Sequence, residues 1–223
     1  MALLHTPVGG QFAWLAAVLF APIALWGLVS VRGRFLPDGA AQHAWLAGIV
    51  CVSFLWSLPV RSAQGVQFGL LGVALFSLLF GRARAILGLV AALAVHAAFT
   101  GGAWSNFGLN GLLFAAFPAW MATALQRRIE ARLPKNLFVF IIGNGLFVVL
   151  ATTAATSVAQ LLVAAAVAAS SAAAQVGEAI GYALLLAWGE ALASGMIFSA
   201  LVIFRPNVVL TYRQDLYLPP RGR

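Results

Sequence analysis

Apolar segments alternate with short polar ones along the whole chain. Many of these segments approach 20 residues with few or no charges, and an α-helix of about that length crosses the hydrocarbon core of a bilayer. The pattern predicts seven membrane spans, at residues 12–31, 44–60, 66–80, 86–100, 110–126, 137–157 and 179–204. We therefore expect an all-α, polytopic transmembrane helical bundle in which residues 1–223 form a single membrane domain.

Composition supports this class and excludes a soluble one. Hydrophobic residues make up 63% of the chain and charged residues only 8%, whereas a soluble domain carries about 25% charged residues. The net charge of +8 does not indicate a nucleic-acid partner, because the basic residues cluster between apolar segments, as in cytoplasmic loops. The lipid bilayer is the expected surrounding.

The positions of the basic residues predict the orientation. With the N-terminus outside, twelve of the thirteen Lys and Arg residues fall on the cytoplasmic side, and Arg61 is the exception. The reversed orientation would leave only one there, against the usual excess of positive charge in cytoplasmic loops. We expect the N-terminus outside and the C-terminus in the cytoplasm.

Residues 157–182 form an Ala- and Ser-rich segment that is harder to assign. A complete extra span there would move Arg205 and the basic tail to the outside. We therefore favour an extension of the sixth helix, or a re-entrant or interfacial piece, and an eight-span bundle remains the alternative. Small residues of this kind suit close helix packing.

A carboxylate and several amides lie within or beside the apolar spans. Glu190 is expected to face the bundle interior, because a charge inside a membrane costs a few kcal/mol. It either serves a cation, a proton or a partner subunit, or fixes helix packing by bonding Asn144 or Asn110. Asn106 and Asn110 share a helix face if their stretch is helical, and capping or loop hydrogen bonds are their default explanation.

The stretch "TGGAWSNFGLN", residues 100–110, admits two structures. Its glycines and asparagines suit an irregular plug that folds inward, which a membrane tolerates where the backbone is buried in protein. A plain surface loop fits the same residues.

The chain shows no catalytic motif. It has neither a nucleotide-binding nor a dinucleotide-binding fingerprint, and neither an HExxH pair nor a nucleophile elbow, so we expect no enzyme. The three histidines are His5, His43 and His96. None pairs with another at helical spacing, whereas a metal site normally needs three or four ligands. A histidine satisfied by one hydrogen bond is the simpler interpretation of His96.

Four stretches, taken together and in order, resemble one family of transport proteins. These stretches are "FGLLGVALFSLLFG" (68–81), "GGAWSNFGLN" (101–110), "RLPKNLFVFIIGNGLF" (132–147) and "GEALASGMIFSALVIFRP" (189–206). They look like the substrate-capture membrane components of cobalt and nickel energy-coupling factor transporters, the CbiM/NikM type, and most closely a smaller CbiM-like bacterial branch.

The resemblance implies a seven-helix bundle in the bacterial inner membrane. Such a protein presents a Ni, Co or Cu ion from the outer face, as substrate rather than cofactor. It hands the ion to a transmembrane coupling subunit and paired ATPases, which agrees with the lack of a nucleotide motif here.

The chain departs from the family at two metal ligands. Transition-metal members carry a histidine directly after the first methionine, whereas this chain begins Met-Ala-Leu-Leu-His, and their second histidine is replaced by Gly69. His5 and His96 are the remaining candidate metal ligands. Glu190 aligns with a family glutamate that is not a metal ligand. The alternative function is an accessory or scaffold subunit of a larger respiratory or photosynthetic complex, its metal ligands having been lost.

Overall fold

The structure is a computed structural model that describes residues 9–31, 36, 38–58, 60–61, 67–68, 70–102, 104–167 and 176–217. The described chain is almost entirely helical, which confirms the predicted all-α class. Its α-helices are α1 Gly10–Ser30, α2 Gly39–Trp56, α3 Val73–Phe80, α4 Arg82–Thr100, α5 Phe107–Asn110, α6 Phe117–Arg132, α7 Leu137–Ile142, α8 Val149–Val167, α9 Val176–Phe204 and α10 Gln214–Tyr217.

Shorter elements join or precede these helices. π-helical turns at Gly111–Ala116 and Gly143–Val148 join α5 to α6 and α7 to α8, and 3₁₀ turns lie at Trp104–Asn106 and Pro206–Val208. The two-residue strands β1 Val60–Arg61 and β2 Gln67–Phe68 pair antiparallel, with Val60 opposite Phe68 and Arg61 opposite Gln67.

Six helical stretches are long and apolar enough to cross a membrane, and each contains most of one predicted span. They are Gly10–Ser30, Gly39–Trp56, Arg82–Thr100, Trp104–Arg132, Leu137–Ala166 and Ala179–Phe204. The hydropathy pattern therefore located six of the seven spans.

The helix predicted at 66–80 is wrong in length, because only Val73–Phe80 is helical there. Eight residues of α-helix rise about 12 Å, against a hydrocarbon core of about 30 Å. Gln67 and Phe68 are extended in β2, and Gly72 has a left-handed φ of 66°, a conformation that ends the helix on this side.

The chain nevertheless crosses the bundle at this point. α2 and α4 run parallel, since the Ser53 hydroxyl donates to the Ala92 carbonyl at 3.0 Å and Ser57 Oγ lies 3.2 Å from His96 Nδ1. The intervening residues must therefore return from the end of α2 to the start of α4. Non-helical backbone is tolerated at membrane depth when protein buries it, and Leu71, which precedes α3, is buried.

Residues 157–167 of the Ala- and Ser-rich segment extend the sixth helix, in agreement with the favoured prediction, and residues 176–182 belong to α9. The helix containing α8 continues to Val167 and α9 begins at Val176. Residues 168–175 lie outside the described residues, and this interval of eight is far shorter than the about 20 residues that another helical span needs. The eight-span alternative is therefore excluded.

The stretch at 104–110 is neither an irregular plug nor a surface loop. It is helical and continues directly into the span that ends at Arg132. It packs on α1, where a Cβ on Gly108 would lie 2.5 Å from Ala17 Cα and one on Gly111 would lie 2.4 Å from the Phe20 ring. Because residue numbers rise together along both helices, α1 and Trp104–Arg132 are parallel.

We expect Gly108→Ala to lower stability by about 1–3 kcal/mol. The atoms that the new methyl group would meet are the backbone Cα and N of Ala17, at 2.5 and 2.6 Å, so no side-chain rotation relieves the clash and α1 must move. Gly189→Ala is the matched control, because no atom lies within 4 Å of its Cβ position. Thermal unfolding in detergent measures both variants, and equal midpoints would contradict the close approach.

Reporters fused after Arg223 test the predicted orientation. We expect a fluorescent protein fused there to fold in the cytoplasm and alkaline phosphatase fused there to be inactive. An active phosphatase at this position would contradict an outside N-terminus combined with seven crossings.

Candidate functional site

Glu190 lies in the middle of α9 and faces the bundle interior, with only 3% of its surface exposed. Its carboxylate accepts three hydrogen bonds: from Leu71 N at 2.7 Å, from Gly72 N at 2.9 Å and from Thr153 Oγ1 at 3.1 Å. Its predicted interior position is correct. The partners suggested from the sequence, Asn144 and Asn110, are not among these donors.

These hydrogen bonds join three elements at one point. Leu71 and Gly72 directly precede the short helix α3, Thr153 belongs to α8, and Glu190 belongs to α9. The backbone N–H groups at a helix start lack intrahelical acceptors, and an anion there is further stabilised by the helix dipole. We call Glu190, Thr153, Leu71 and Gly72 the glutamate clamp.

The other end of α3 is held by the segment after α9. The N–H of Leu210 donates to the Leu79 carbonyl at 2.7 Å, and the Thr211 hydroxyl donates to the Leu78 carbonyl. Carbonyls in the last turn of a helix have no intrahelical donor. Polar groups at both ends of the short helix are therefore satisfied by distant parts of the chain.

The glutamate clamp connects to a buried histidine through one peptide group and one ring. The carbonyl of Leu71 accepts from Trp56 Nε1 at 2.9 Å. The Trp56 ring is 1% exposed and meets His96 nearly edge-on, with ring centroids 6.2 Å apart and planes at 84°. Its centroid also lies 5.3 Å from that of Phe114. We call Trp56, Ser57 and His96 the histidine cluster.

The hydroxyl of Ser57 links the backbone of α2 to the imidazole of His96. It donates to the Ser53 carbonyl at 3.0 Å, and its oxygen lies 3.2 Å from His96 Nδ1. In the tautomer that carries its proton on Nδ1, the ring lone pair is on Nε2. Metal-binding histidines commonly use their second nitrogen in this way, as a hydrogen-bond donor that orients the ring.

Asn106 and Asn110 lie at the same end of the bundle as His96. The span that contains them begins shortly after the end of α4, which carries His96. Both side chains are buried, and neither makes a side-chain capping hydrogen bond to the helical turn that it precedes. The hydroxyl of Ser105 donates to Asn106 Oδ1 at 3.4 Å.

Asn144 is fully buried within the second π-helical turn. Neither amide atom has a hydrogen-bond partner among the described residues, and the same holds for the hydroxyls of Thr152 and Thr156 and for Gln160 Nε2. Buried groups of this kind are usually bridged by water. Asn144 therefore contributes to a polar face of the 137–167 helix rather than to the glutamate clamp.

Sequence reasoning missed three residues of the site: Thr153, Trp56 and Ser57. The run "ATTAATS" within an otherwise apolar span was the available signal for Thr153, because buried hydroxyls require partners. Nothing in the sequence pattern distinguishes Trp56 from the other tryptophans or Ser57 from an ordinary helix end.

The described residues contain no group of three His, Cys, Asp or Glu side chains that could hold a metal ion. His5 lies outside the described residues. A metal bound beside His96 would therefore need donors of other types, such as carboxamide oxygens, or the segment that carries His5.

The six apolar helices long enough to cross a membrane identify the chain as a polytopic membrane protein. The sequence profile of the CbiM family, described as the cobalt uptake substrate-specific transmembrane region, matches residues 7–208. This chain therefore belongs to the CbiM family, which confirms the resemblance noted in the sequence. It is a membrane component of metal-ion transport and not an enzyme.

Two solved structures share the fold, one of a transition metal transporter and one of a truncated transition metal transporter. Each has a TM-score of 0.68 and 18% sequence identity to this chain and covers 89% of it. The match extends over 98% of the truncated chain and 92% of the other. No curated protein matches the chain.

Glu190→Gln is expected to lower stability by about 2–4 kcal/mol, since hydrogen bonds to charged groups contribute about 1.5–3 kcal/mol each. A glutamine amide leaves one acceptor oxygen for three donors. Thr153→Val removes a single bond and should cost about 1 kcal/mol. Thermal unfolding in detergent measures both.

Ser199→Ala, in the same helix, is the control for the glutamate clamp. Its hydroxyl bonds only the carbonyl of Gly195, one turn earlier, and its removal should change stability by no more than about 0.5 kcal/mol. A Glu190→Gln variant as stable as this control would contradict the structural role of the clamp.

Proposed function

We propose that this protein captures a transition-metal ion at the end of the bundle that carries His96, as the substrate of a transporter. The observation that carries the proposal is the contact between Ser57 and His96 Nδ1, which would orient the imidazole with Nε2 as its metal-binding atom. Family membership supports the choice of a metal ion over an organic solute.

The proposed ligands are His96 Nε2 and His5, supplemented by carboxamide oxygens of Asn106 and Asn110. α1 runs parallel to Trp104–Arg132, so the chain that carries His5 enters α1 at the end where Asn106 and Asn110 lie. Imidazole nitrogens suit Ni, Co and Cu ions. These proposed ligands would take the place of two histidines that the family resemblance predicts and that this chain lacks.

Energy for transport is proposed to come from other chains. The sequence contains no nucleotide-binding motif, so a coupling subunit and paired ATPases in the bacterial inner membrane would drive release to the cytoplasm. If the N-terminus is outside, as the basic residues predict, the His96 end would face the external medium.

The role proposed for Glu190 is to position the site rather than to bind the ion. It is linked to His96 indirectly, through the Leu71–Gly72 peptide and the Trp56 ring. A change at the glutamate clamp would therefore shift the wall of the histidine cluster, which gives a coupling subunit a route to alter ion affinity.

Calorimetric titration of the purified full chain with Ni²⁺, Co²⁺ and Cu²⁺ tests the ligand set. We expect His96→Ala and His5→Ala each to weaken binding of the preferred ion at least about 100-fold. Ser57→Ala should weaken it about 10–100-fold by releasing the ring of His96. His43→Ala is the control, because His43 is exposed near the start of α2, at the opposite end.

Equal affinities for wild type and His96→Ala would overturn the assignment of His96. A wild-type protein that binds none of the three ions, and that copurifies from native membranes with a large electron-transfer assembly, would instead support the accessory-subunit function.

A further inference from the structure

A groove on the side of the bundle is separate from the histidine cluster. It has a volume of about 630 Å³ and lies between the end of α6, the 137–167 helix and α9. Its lining is apolar except at one end, and we call it the lateral groove. The lining residues are Leu125, Arg128, Ile129, Arg132, Leu133, Phe147, Val148, Leu150, Ala151, Ala154, Leu184 and Trp188.

The lateral groove opens to the outside of the protein rather than into its core. Phe147 is 56% exposed and Trp188 is 50% exposed. Both belong to helices that are long and apolar enough to span a membrane, so the surface they expose meets lipid. The apolar wall of the groove therefore continues the hydrocarbon-facing surface of the bundle.

One end of the lateral groove is positively charged. Arg128 and Arg132 are four residues apart on α6, so their side chains lie on the same helix face, and both are exposed. Among the described residues that line the groove, none is acidic. Glu130, between them in sequence, accepts a hydrogen bond from Gln126 at 3.0 Å and lines a different depression, together with Tyr217.

The charged end coincides with the end of a spanning helix. Arg132 is the last residue of α6, so it lies where the span meets the bilayer surface. From there to Leu125 the helix rises about 10 Å, which carries the apolar wall from the headgroup level into the hydrocarbon. The lateral groove thus has a cationic mouth and an apolar body.

We propose that the lateral groove binds an anionic glycerophospholipid, with its phosphate between Arg128 and Arg132 and an acyl chain along Phe147, Ala151 and Trp188. Basic pockets between transmembrane helices select anionic headgroups in this way. A phospholipid matches both halves of the groove, since its phosphate supplies the anion that the lining lacks and its chain covers exposed apolar surface. This site does not depend on the metal-capture function.

Native mass spectrometry of the delipidated full chain, titrated with dioleoyl phosphatidylglycerol or dioleoyl phosphatidylcholine, tests the site. We expect the wild type to prefer phosphatidylglycerol. The double variant Arg128→Gln/Arg132→Gln should lose that preference, with affinity roughly fivefold weaker for each arginine removed. Arg205→Gln/Arg213→Gln removes the same charge from exposed positions outside the groove and should keep it.

A second variant distinguishes the contribution of the acyl chain to binding from that of the headgroup. Ala154→Phe fills the groove and leaves both arginines, so it should weaken binding of phosphatidylglycerol. In a separate competition experiment on the wild type, soluble glycerol 3-phosphate should displace phosphatidylglycerol only poorly, because it lacks the acyl chains. If glycerol 3-phosphate displaces the lipid fully at equal concentration, the site is a free-phosphate site and the proposal is wrong.

Three other results would overturn the lipid assignment. The first is equal binding of both lipids by the wild type, and the second is an equal loss of binding in the groove and control double variants. The third is unchanged lipid binding in Arg128→Gln/Arg132→Gln combined with loss of a copurifying membrane subunit, which would make the groove a subunit contact.

Discussion

The hydrogen bonds of Glu190 are the interaction on which the rest of this structure depends. A helix of eight residues cannot cross a bilayer by itself, and its end groups have no water to bond within the hydrocarbon. The carboxylate supplies acceptors for the two N–H groups that precede α3, and Thr153 fixes that carboxylate from α8. With the segment around Leu210 at its other end, α3 can replace a full-length span.

The same peptide group that donates to Glu190 also orients the surroundings of His96. The Leu71–Gly72 peptide donates its N–H to Glu190 and accepts from Trp56 through its carbonyl, and Trp56 lies against the imidazole. The Leu71–Gly72 peptide therefore belongs both to the glutamate clamp and to the wall of the histidine cluster. In this arrangement the start of α3 depends on the hydrogen bonds of Glu190 and on no bound ligand.

Hydropathy located six spans because charge is costly to bury in lipid, so every long transmembrane helix is a long apolar segment with few charged residues. Hydropathy failed for residues 66–80, because an apolar segment has the same composition whether all of it is helical or, as here, only Val73–Phe80 is helical. The left-handed Gly72 and the pairing of Phe68 with Val60 depend on neighbours that hydropathy does not describe. The continuation of the sixth span to Val167 could be predicted from the sequence, because one more crossing would have moved Arg205 and the basic tail to the outside.

The sequence by itself determined the membrane class, the interior position of Glu190 and the family, all of which follow from local composition or from motifs in order. Tertiary structure alone decided what Glu190 bonds. Asn144 and Asn110 were reasonable partners by chemistry, but two of the three donors are backbone N–H groups 119 and 118 residues away. Every residue except proline carries such a group, so no sequence pattern can mark the two that the fold brings to the carboxylate.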